Sequence, residues 1–479
     1  MAEPKRGVTR RAAVGGAAGA AAAWGLGGSG MAEAKTGRGA DDIGAIVART
    51  PFVDTHEHIV EEERRTAWKP HPLLPCNDWA LLFSHYIDSD LQVAGMAPAD
   101  RERLLSPNLD PAAKWQILAP WWPLVKNTGY GQAVRLAIER LYGVRDLNGR
   151  SVGKLAAAFE AAIRPGYYVE VLRKHAGIES CQVNSLETTF METRYPALLL
   201  QDISLLNLHT PYNWMSNAER VGVRVSDLAS YHRAIDAWFA RYARYAVAVK
   251  SQAAYSRRLD FEDVPAERAE EPFARILRGD PLSPAEVKRV EDHLFWYGVR
   301  RATEHGLPVK LHTGYYAGHN GMPMDRLATN PSDVVELLRR APDTTFVLMH
   351  IGYPFQEQMV ALAKHWSNAV IDMCWAWIIS PTASERFLRD MIVTAPRSKV
   401  LTFGGDYIPV EPVVGHAAIA RRGIASTLEG LVRDGWLTRA DAVELVEPLM
   451  RGNAERVFRL AEKRREAARV PWPHEPVPA

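Results

Sequence analysis

Cysteine is scarce. Cys76, Cys181 and Cys374 are the only three in 479 residues, too few and too scattered for a disulfide framework. They form no C-x-x-C pair and no zinc-ribbon spacing, which removes thiol-redox motifs and structural zinc ribbons. An excess of one charge is also missing: 58 basic residues stand against 56 acidic ones, a formal net charge of +2. With no basic field, nucleic acid is not an expected partner, and no acidic tail marks a cationic one. No stretch is apolar and long enough for a membrane span. No G-x-G-x-x-G follows the first strand-like segment, so a dinucleotide-binding sheet is not expected. At 47% hydrophobic and 24% charged residues, the composition is that of a globular chain.

The N-terminus carries an address. Residues 5–11 read KRGVTRR, and an uncharged Ala/Gly-rich run follows to Gly30. Ala32-Glu33-Ala34 then supplies an A-x-A cleavage pattern. Residues 1–34 are therefore expected to be a signal peptide that resembles the twin-arginine kind. The mature protein is expected in the periplasm or outside the cell.

Eight short apolar runs recur, at 51–55, 178–185, 198–206, 245–250, 307–312, 344–350, 369–375 and 399–405. Between them lie amphipathic segments such as 226–245, 284–305, 332–341, 355–366 and 384–392. Strands alternating with helices imply parallel βαβ units, and eight of them imply an α/β (β/α)8 TIM barrel over residues 45–465. The first two runs are separated by a long insert, about 60–175, that carries helical periodicity, as in GQAVRLAIERLY at 131–142. An insert after a barrel strand lies at the C-terminal face, so a helical cap over the mouth is expected. The Pro-rich tail at 466–479 is expected to be loose.

The strand ends carry the chemistry. The first run ends in FVDTHEH, where His56 and His58 occupy alternate positions and so share a face. The fourth ends in Lys250, the fifth in His312 and the sixth in His350, and the eighth leads through Gly404-Gly405 to Asp406. A lone histidine at any of these places is usually structural. Together they fall where a barrel enzyme keeps its active site. Several neutral imidazoles and a carboxylate suit Zn(II) or another divalent ion. Lys310 and Asp54 each precede a ligand candidate by two residues and also face inward, so they are expected to pair beneath the metal. Weaker candidates surround the mouth: Arg257 to grip a substrate carboxylate, and Tyr315 and His319 on a Gly-rich turn for substrate contact. Trp375 and Trp377 fit an apolar wall or core packing, Cys374 a small buried residue, and Glu57 an outward position without catalytic role.

The motifs DTHEH at 54–58, HTG at 312–314, MHIGYPF at 349–355, FGGD at 403–406 and RGNAERVF at 451–458 resemble the amidohydrolase superfamily, within it the amidohydrolase-2 group. VKSQAAYSRRL at 249–259 and PVKLHTGYYAG at 308–318 are similar to its FluG-like members. The resemblance implies one or two divalent ions per chain, most simply Zn(II). The ligands would be His56, His58, His312, His350 and Asp406, with Lys250 either carboxylated between two metals or a plain cation. Asp406 would be the general base, and His350 a ligand or an acid/base. The implied reaction is hydrolysis of an amide, ester or other C–N or C–O bond of a small molecule. The same site in relatives performs non-oxidative decarboxylation or uronate isomerisation, and a non-catalytic metal-dependent binding protein is the third reading. The oligomeric state, a homo-oligomer included, is left open.

Overall fold

The computed structural model describes residues 42–210 and 214–477. The expected signal peptide at 1–34 lies outside the described residues. Eight parallel strands form the centre. They are β1 (Phe52–Glu57), β2 (Ile178–Val183), β3 (Leu199–Gln201, resuming as Ile203–Ser204), β4 (Val249–Ser251), β5 (Val309–Leu311), β6 (Phe346–Leu348), β7 (Ala369–Asp372) and β8 (Val400–Leu401). Each pairs with the next in chain order. The ring closes where the Thr55 N–H donates to the Phe403 carbonyl at 3.0 Å and the Asp406 N–H to the His56 carbonyl at 2.9 Å. This is the (β/α)8 barrel expected from the alternation of runs.

Strands β4 to β7 are short and wholly buried because helices cover their outer faces. Those helices start where the local chemistry allows. Asp227 and Ser283 make capping boxes at the heads of Leu228–Tyr242 and Pro284–Glu304. The segment expected at 332–341 is part of a longer helix, Met324–Arg340, which runs through Pro331. The insert between β1 and β2 is helical, as its periodicity indicated, and its longest helix, Gly129–Tyr142, ends on left-handed Gly143. That helix lies against Pro412–Arg433, where a Cβ on Gly415 would sit 1.8 Å from the Ala133 carbonyl oxygen.

Two expectations need correcting. Lys310 does point into the barrel, but its partner is Asp202, at 2.8 and 3.1 Å, and not Asp54. The Lys310 ammonium also donates to the Thr55 carbonyl at 2.7 Å. Asp202 sits at the break in β3, with only β4 between it and β5, and its carboxylate is turned to Lys310. Asp54 instead accepts from the N–H groups of His56 and Gly405. The Pro-rich tail is also not loose over its described part. Trp472 is buried and donates its indole N–H to the Thr193 carbonyl at 3.0 Å, and the Glu475 N–H donates to the Arg194 carbonyl. A single buried indole outweighs the loss of helix and sheet that proline imposes. No helix among the described residues is long and apolar enough to cross a membrane.

Candidate functional site

At the C-terminal mouth three donor atoms converge. His56 Nε2 and His58 Nε2 are 3.3 Å apart, and they lie 3.2 and 3.4 Å from Asp406 Oδ1. The alternation of β1 carries both imidazoles to one side, and the close approach of the β8 loop brings the carboxylate. That approach needs the glycines of FGGD. A Cβ on Gly405 would sit 1.9 Å from Glu57 Oε1, and one on Gly404 would sit 2.8 Å from Cys374 Cβ. Four non-glycine residues at the site hold left-handed backbone: Tyr86 (φ 64°), His350 (φ 61°), Trp375 (φ 62°) and Asp406 (φ 63°). Each such residue costs about 1–3 kcal/mol, which the surrounding packing offsets, and such residues cluster at functional sites.

The donor set fits a metal ion. Three ligands at tetrahedral angles, each about 2.0–2.1 Å from an ion, are about 3.3–3.4 Å apart, close to the 3.2–3.4 Å between these three atoms. The tautomers agree as well. His58 Nδ1 lies 2.7 Å from the Asn184 carbonyl, which only accepts, so the proton is on Nδ1 and Nε2 presents a lone pair. His350 Nδ1 is likewise bound to the Cys374 carbonyl at 3.0 Å, and its buried Nε2 has no partner. His350, Cys374 and Asp406 form a second group of atoms close enough to share an ion. Burial, with the Asp406 charge beside it, pushes the Cys374 thiol well above its usual range, so the thiolate that a metal needs is disfavoured.

His312 differs from its expected role. Its Nε2 points to the Tyr315 carbonyl at 2.8 Å, so it does not join the His56–His58–Asp406 group, although its ring lies 4.4 Å from that of His350. Lys250 reaches the centre with Nζ 3.1 Å from His56 Nε2. Burial lowers its pKa, which favours the neutral amine. Arg257 lines the mouth but is already paired with Glu291 and Asp292. Tyr315 packs its ring against Trp375 and Tyr353. His319 is exposed and is not among the residues that line the cavity. Trp375 is fully buried, stacked on Tyr86 and edge-on to His350. Glu57 is buried and accepts from the Tyr407 N–H at 2.7 Å, holding the β8 loop rather than contacting substrate.

The insert supplies a residue that sequence reasoning missed. The Tyr86 hydroxyl lies 2.7 Å from Asp406 Oδ2 and 2.6 Å from the Asp406 carbonyl. One carboxylate oxygen is thus held by Tyr86 while the other faces the two histidines. His85 lines the same cavity beside it. Neither residue sits on a strand end or in a periodic segment, so SHYIDSD at 84–90 carried no signal.

Burial sets the protonation states. It pushes His58 and His312 down to about 3 and His56 and His350 well down, with the Lys250 charge adding to the effect. These imidazoles are neutral at physiological pH, as ligands must be. Burial pushes Asp406 up to about 6, opposed by Lys250 and by the Tyr86 hydrogen bond. Proton competition for a metal therefore comes from Asp406. Zinc affinity of the metal-free protein, measured by calorimetry at pH 5, 6 and 7, is expected to fall by at most about tenfold per pH unit below pH 6, as for one proton. A slope of two or more protons would mean that a second group, a histidine or Lys250, also gives up a proton as the metal binds.

A parallel eight-stranded barrel with imidazoles and a carboxylate gathered at its C-terminal mouth defines the class of metal-dependent barrel enzymes. Residues 204–460 match the Amidohydrolase family, and the chain belongs to it. The chain is 25% identical to the protein FluG of Emericella nidulans over 234 residues, 46% of this chain and 26% of FluG. It is 25% identical to a uronate isomerase of Phenylobacterium zucineum over 217 residues, 42% of this chain and 45% of that protein. The chain thus spans about a quarter and less than half of these relatives. The glucuronate isomerase structure from Caulobacter crescentus superposes with a TM-score of 0.69 at 18% identity, covering 91% of this chain and 95% of that one. At that identity the likeness speaks for the fold alone.

Proposed function

We propose that the protein is an exported, metal-dependent hydrolase that cleaves an amide, ester or other C–N or C–O bond of a small molecule. His56, His58 and Asp406 would hold the ion, with His350 beside them. When bound, such an ion makes hydroxide available near neutral pH and polarises a carbonyl group. Asp406 accepts the proton of the attacking water and passes it to the leaving atom. Tyr86 keeps Asp406 Oδ2 in place during both transfers. The barrel mouth and the insert limit the access of bulk water to Asp406.

Lys250 constrains the metal count. A protonated Lys250 and a metal cannot both use the His56 Nε2 lone pair. Carboxylation removes that conflict: the amine adds CO2 to give a carbamate and a proton, and the site then gains a carboxylate where Nζ stands 3.1 Å from His56 Nε2. We therefore expect two ions per chain with a carboxylated Lys250. Elemental analysis combined with native mass spectrometry tests this: about two metals and the mass of one added CO2 are expected. One metal and an unmodified lysine would make His350 an acid/base beside a single ion.

The observation that carries hydrolysis over isomerisation is the state of the cavity's cations. Arg257 is paired with Glu291 and Asp292, Arg258 with Asp333, and Lys288 with Asp292. Among the described residues lining the cavity, Lys250 alone is a cation without a carboxylate within ion-pair distance, and it stands at a ligand. A uronate brings a carboxylate that needs a free guanidinium or ammonium. The isomerase reading draws its support from the similarity to uronate isomerases, and decarboxylation shares the same metal site. Product analysis separates the three: hydrolysis gives two fragments, isomerisation leaves mass unchanged, and decarboxylation releases CO2. Turnover of amide, lactone or ester panels with glucuronate untouched is the expected result. Conversion of glucuronate to an equal-mass product would overturn the proposal.

Tyr86→Phe removes the hydroxyl that steadies the base. An approximately tenfold lower kcat is expected. The Tyr86 hydrogen bond lowers the Asp406 pKa, so its loss should move the acid limb of the kcat/KM profile to higher pH. An unchanged limb would show that Tyr86 only packs.

A further inference from the structure

The cavity that contains the metal-ligand candidates is about 980 Å³ and has two unlike ends. His58, Lys250, His312 and Asp406 form the deep, polar end. The outer wall is made by Leu186, Leu206, Tyr255, Leu282, Pro284 and Val287, from the segments after β2, β3 and β4. Leu206 also packs against the core, and the other five are not part of it. Leu186 is 45% exposed and Tyr255 39%. Leu206, Leu282 and Val287 are half-buried, and Pro284 is exposed. A concave wall of partly hydrated aliphatic and aromatic carbon gains free energy when a ligand covers it. The rim charges are tied into pairs with one another, as described above. Of the polar lining, Gln252 donates to Asn184 Oδ1, and Ser256 to the Ala253 carbonyl. A polyhydroxylated substrate would lose hydration along this wall and regain few hydrogen bonds. A substrate with an apolar arm would not.

We infer that the substrate is amphiphilic: an N-acyl or O-acyl compound whose aliphatic or aryl part lies along the Leu186–Leu206–Leu282–Val287 wall while its carbonyl reaches Asp406. This rests on the hydrolase reading. In the reaction, the oxygen of water bonds to the carbonyl carbon and the C–N or C–O bond breaks. Its electron pair leaves on nitrogen or oxygen, which takes up the proton carried by Asp406. A carboxylic acid and an amine or alcohol result.

Hydroxamates separate recognition of the arm from turnover: the head binds a metal through its two oxygens, and mass spectrometry of the titrated sample checks that its C–N bond stays intact. Calorimetry on the metal-loaded protein with aceto-, hexano- and decanohydroxamate is expected to show Kd falling with each added methylene. The ceiling is about 0.8 kcal/mol per buried methylene, roughly a fourfold gain. Leu186→Asp and Val287→Asp, both at partly exposed positions, are expected to flatten that slope. Kd values equal within about twofold across the series would overturn the inference, as would slopes unaltered in both variants. The same acyl chains as amides and esters then test the reaction itself. Tail-dependent binding without hydrolysis of any of them overturns the hydrolase reading and leaves recognition of the arm standing. Flat binding with hydrolysis of short esters overturns the arm and leaves the hydrolase.

Discussion

Asp406→Asn is expected to lower kcat by about 10³-fold or more, close to 4 kcal/mol of transition-state stabilisation, on any substrate the wild-type protein turns over. The substitution keeps size, shape and an oxygen that can face His56 and His58. It removes the one group positioned to take a proton from the attacking water. Asp406 is buried, its Oδ2 lies 2.7 Å from the Tyr86 hydroxyl, and its Oδ1 stands 3.2 Å from His56 Nε2. No second carboxylate is so placed among the described residues: Asp54 is turned to the His56 and Gly405 amides, and Glu57 to the Tyr407 amide. The fold should survive, because the backbone bonds that close the barrel at Thr55–Phe403 and His56–Asp406 do not involve the side chain. Circular dichroism and metal content would establish that the variant is folded and loaded. Wild-type-like rates in such a protein would sink the assignment of Asp406 as the base. Loss of metal together with activity would show that its role as ligand dominates.

Much of the mouth was legible because barrel geometry turns strand ends into a readable code. The alternation that puts His56 and His58 on one face, and Gly404-Gly405 before Asp406, are local facts. What was not legible depends on direction. His312 stands at the end of β5, where a ligand was expected, yet its Nε2 is taken by the Tyr315 carbonyl three residues on. That turn is a feature of loop backbone, which carries no periodicity. Arg257 was read as a free guanidinium because its partners, Glu291 and Asp292, lie on a helix far along the chain. Tyr86 lies in an insert whose periodicity locates helices but not the residue that reaches Asp406. Asp202 did leave a trace: a carboxylate inside the apolar run ALLLQDISL has to find a cation. Pairing Lys310 with Asp54 by sequence face overlooked the distance around the ring: β1 stands opposite β5, whereas Asp202 on β3 is only two strands away.

That buried pair leads to the largest expected effect on stability. Asp202 and Lys310 are both fully buried, 2.8 Å apart. Burial pushes the Asp202 carboxyl up, and Lys310 opposes that rise. Asp202→Leu leaves the ammonium with the Thr55 carbonyl at 2.7 Å and the face of the Phe458 ring, and is expected to cost about 3–5 kcal/mol. Lys310→Met should cost a similar amount, since it strands the carboxylate. Replacing both at once, as Asp202→Leu with Lys310→Met, should recover most of the loss. The desolvation of two charges disappears together with their attraction. Denaturant unfolding of the four proteins gives the coupling directly, and a non-additive double variant is the expected sign of a pair. Additive losses would mean that each group is held by other partners. The recovered double variant should still bind metal less well than wild type. Asp202 Oδ2 lies 3.9 Å from His56 Nδ1, which has no hydrogen-bond partner, so among the described residues this is the carboxylate that faces that side of the ring, opposite Asp406 at Nε2. Full metal affinity in the double variant would confine Asp202 to stability and leave the orientation of His56 to packing alone.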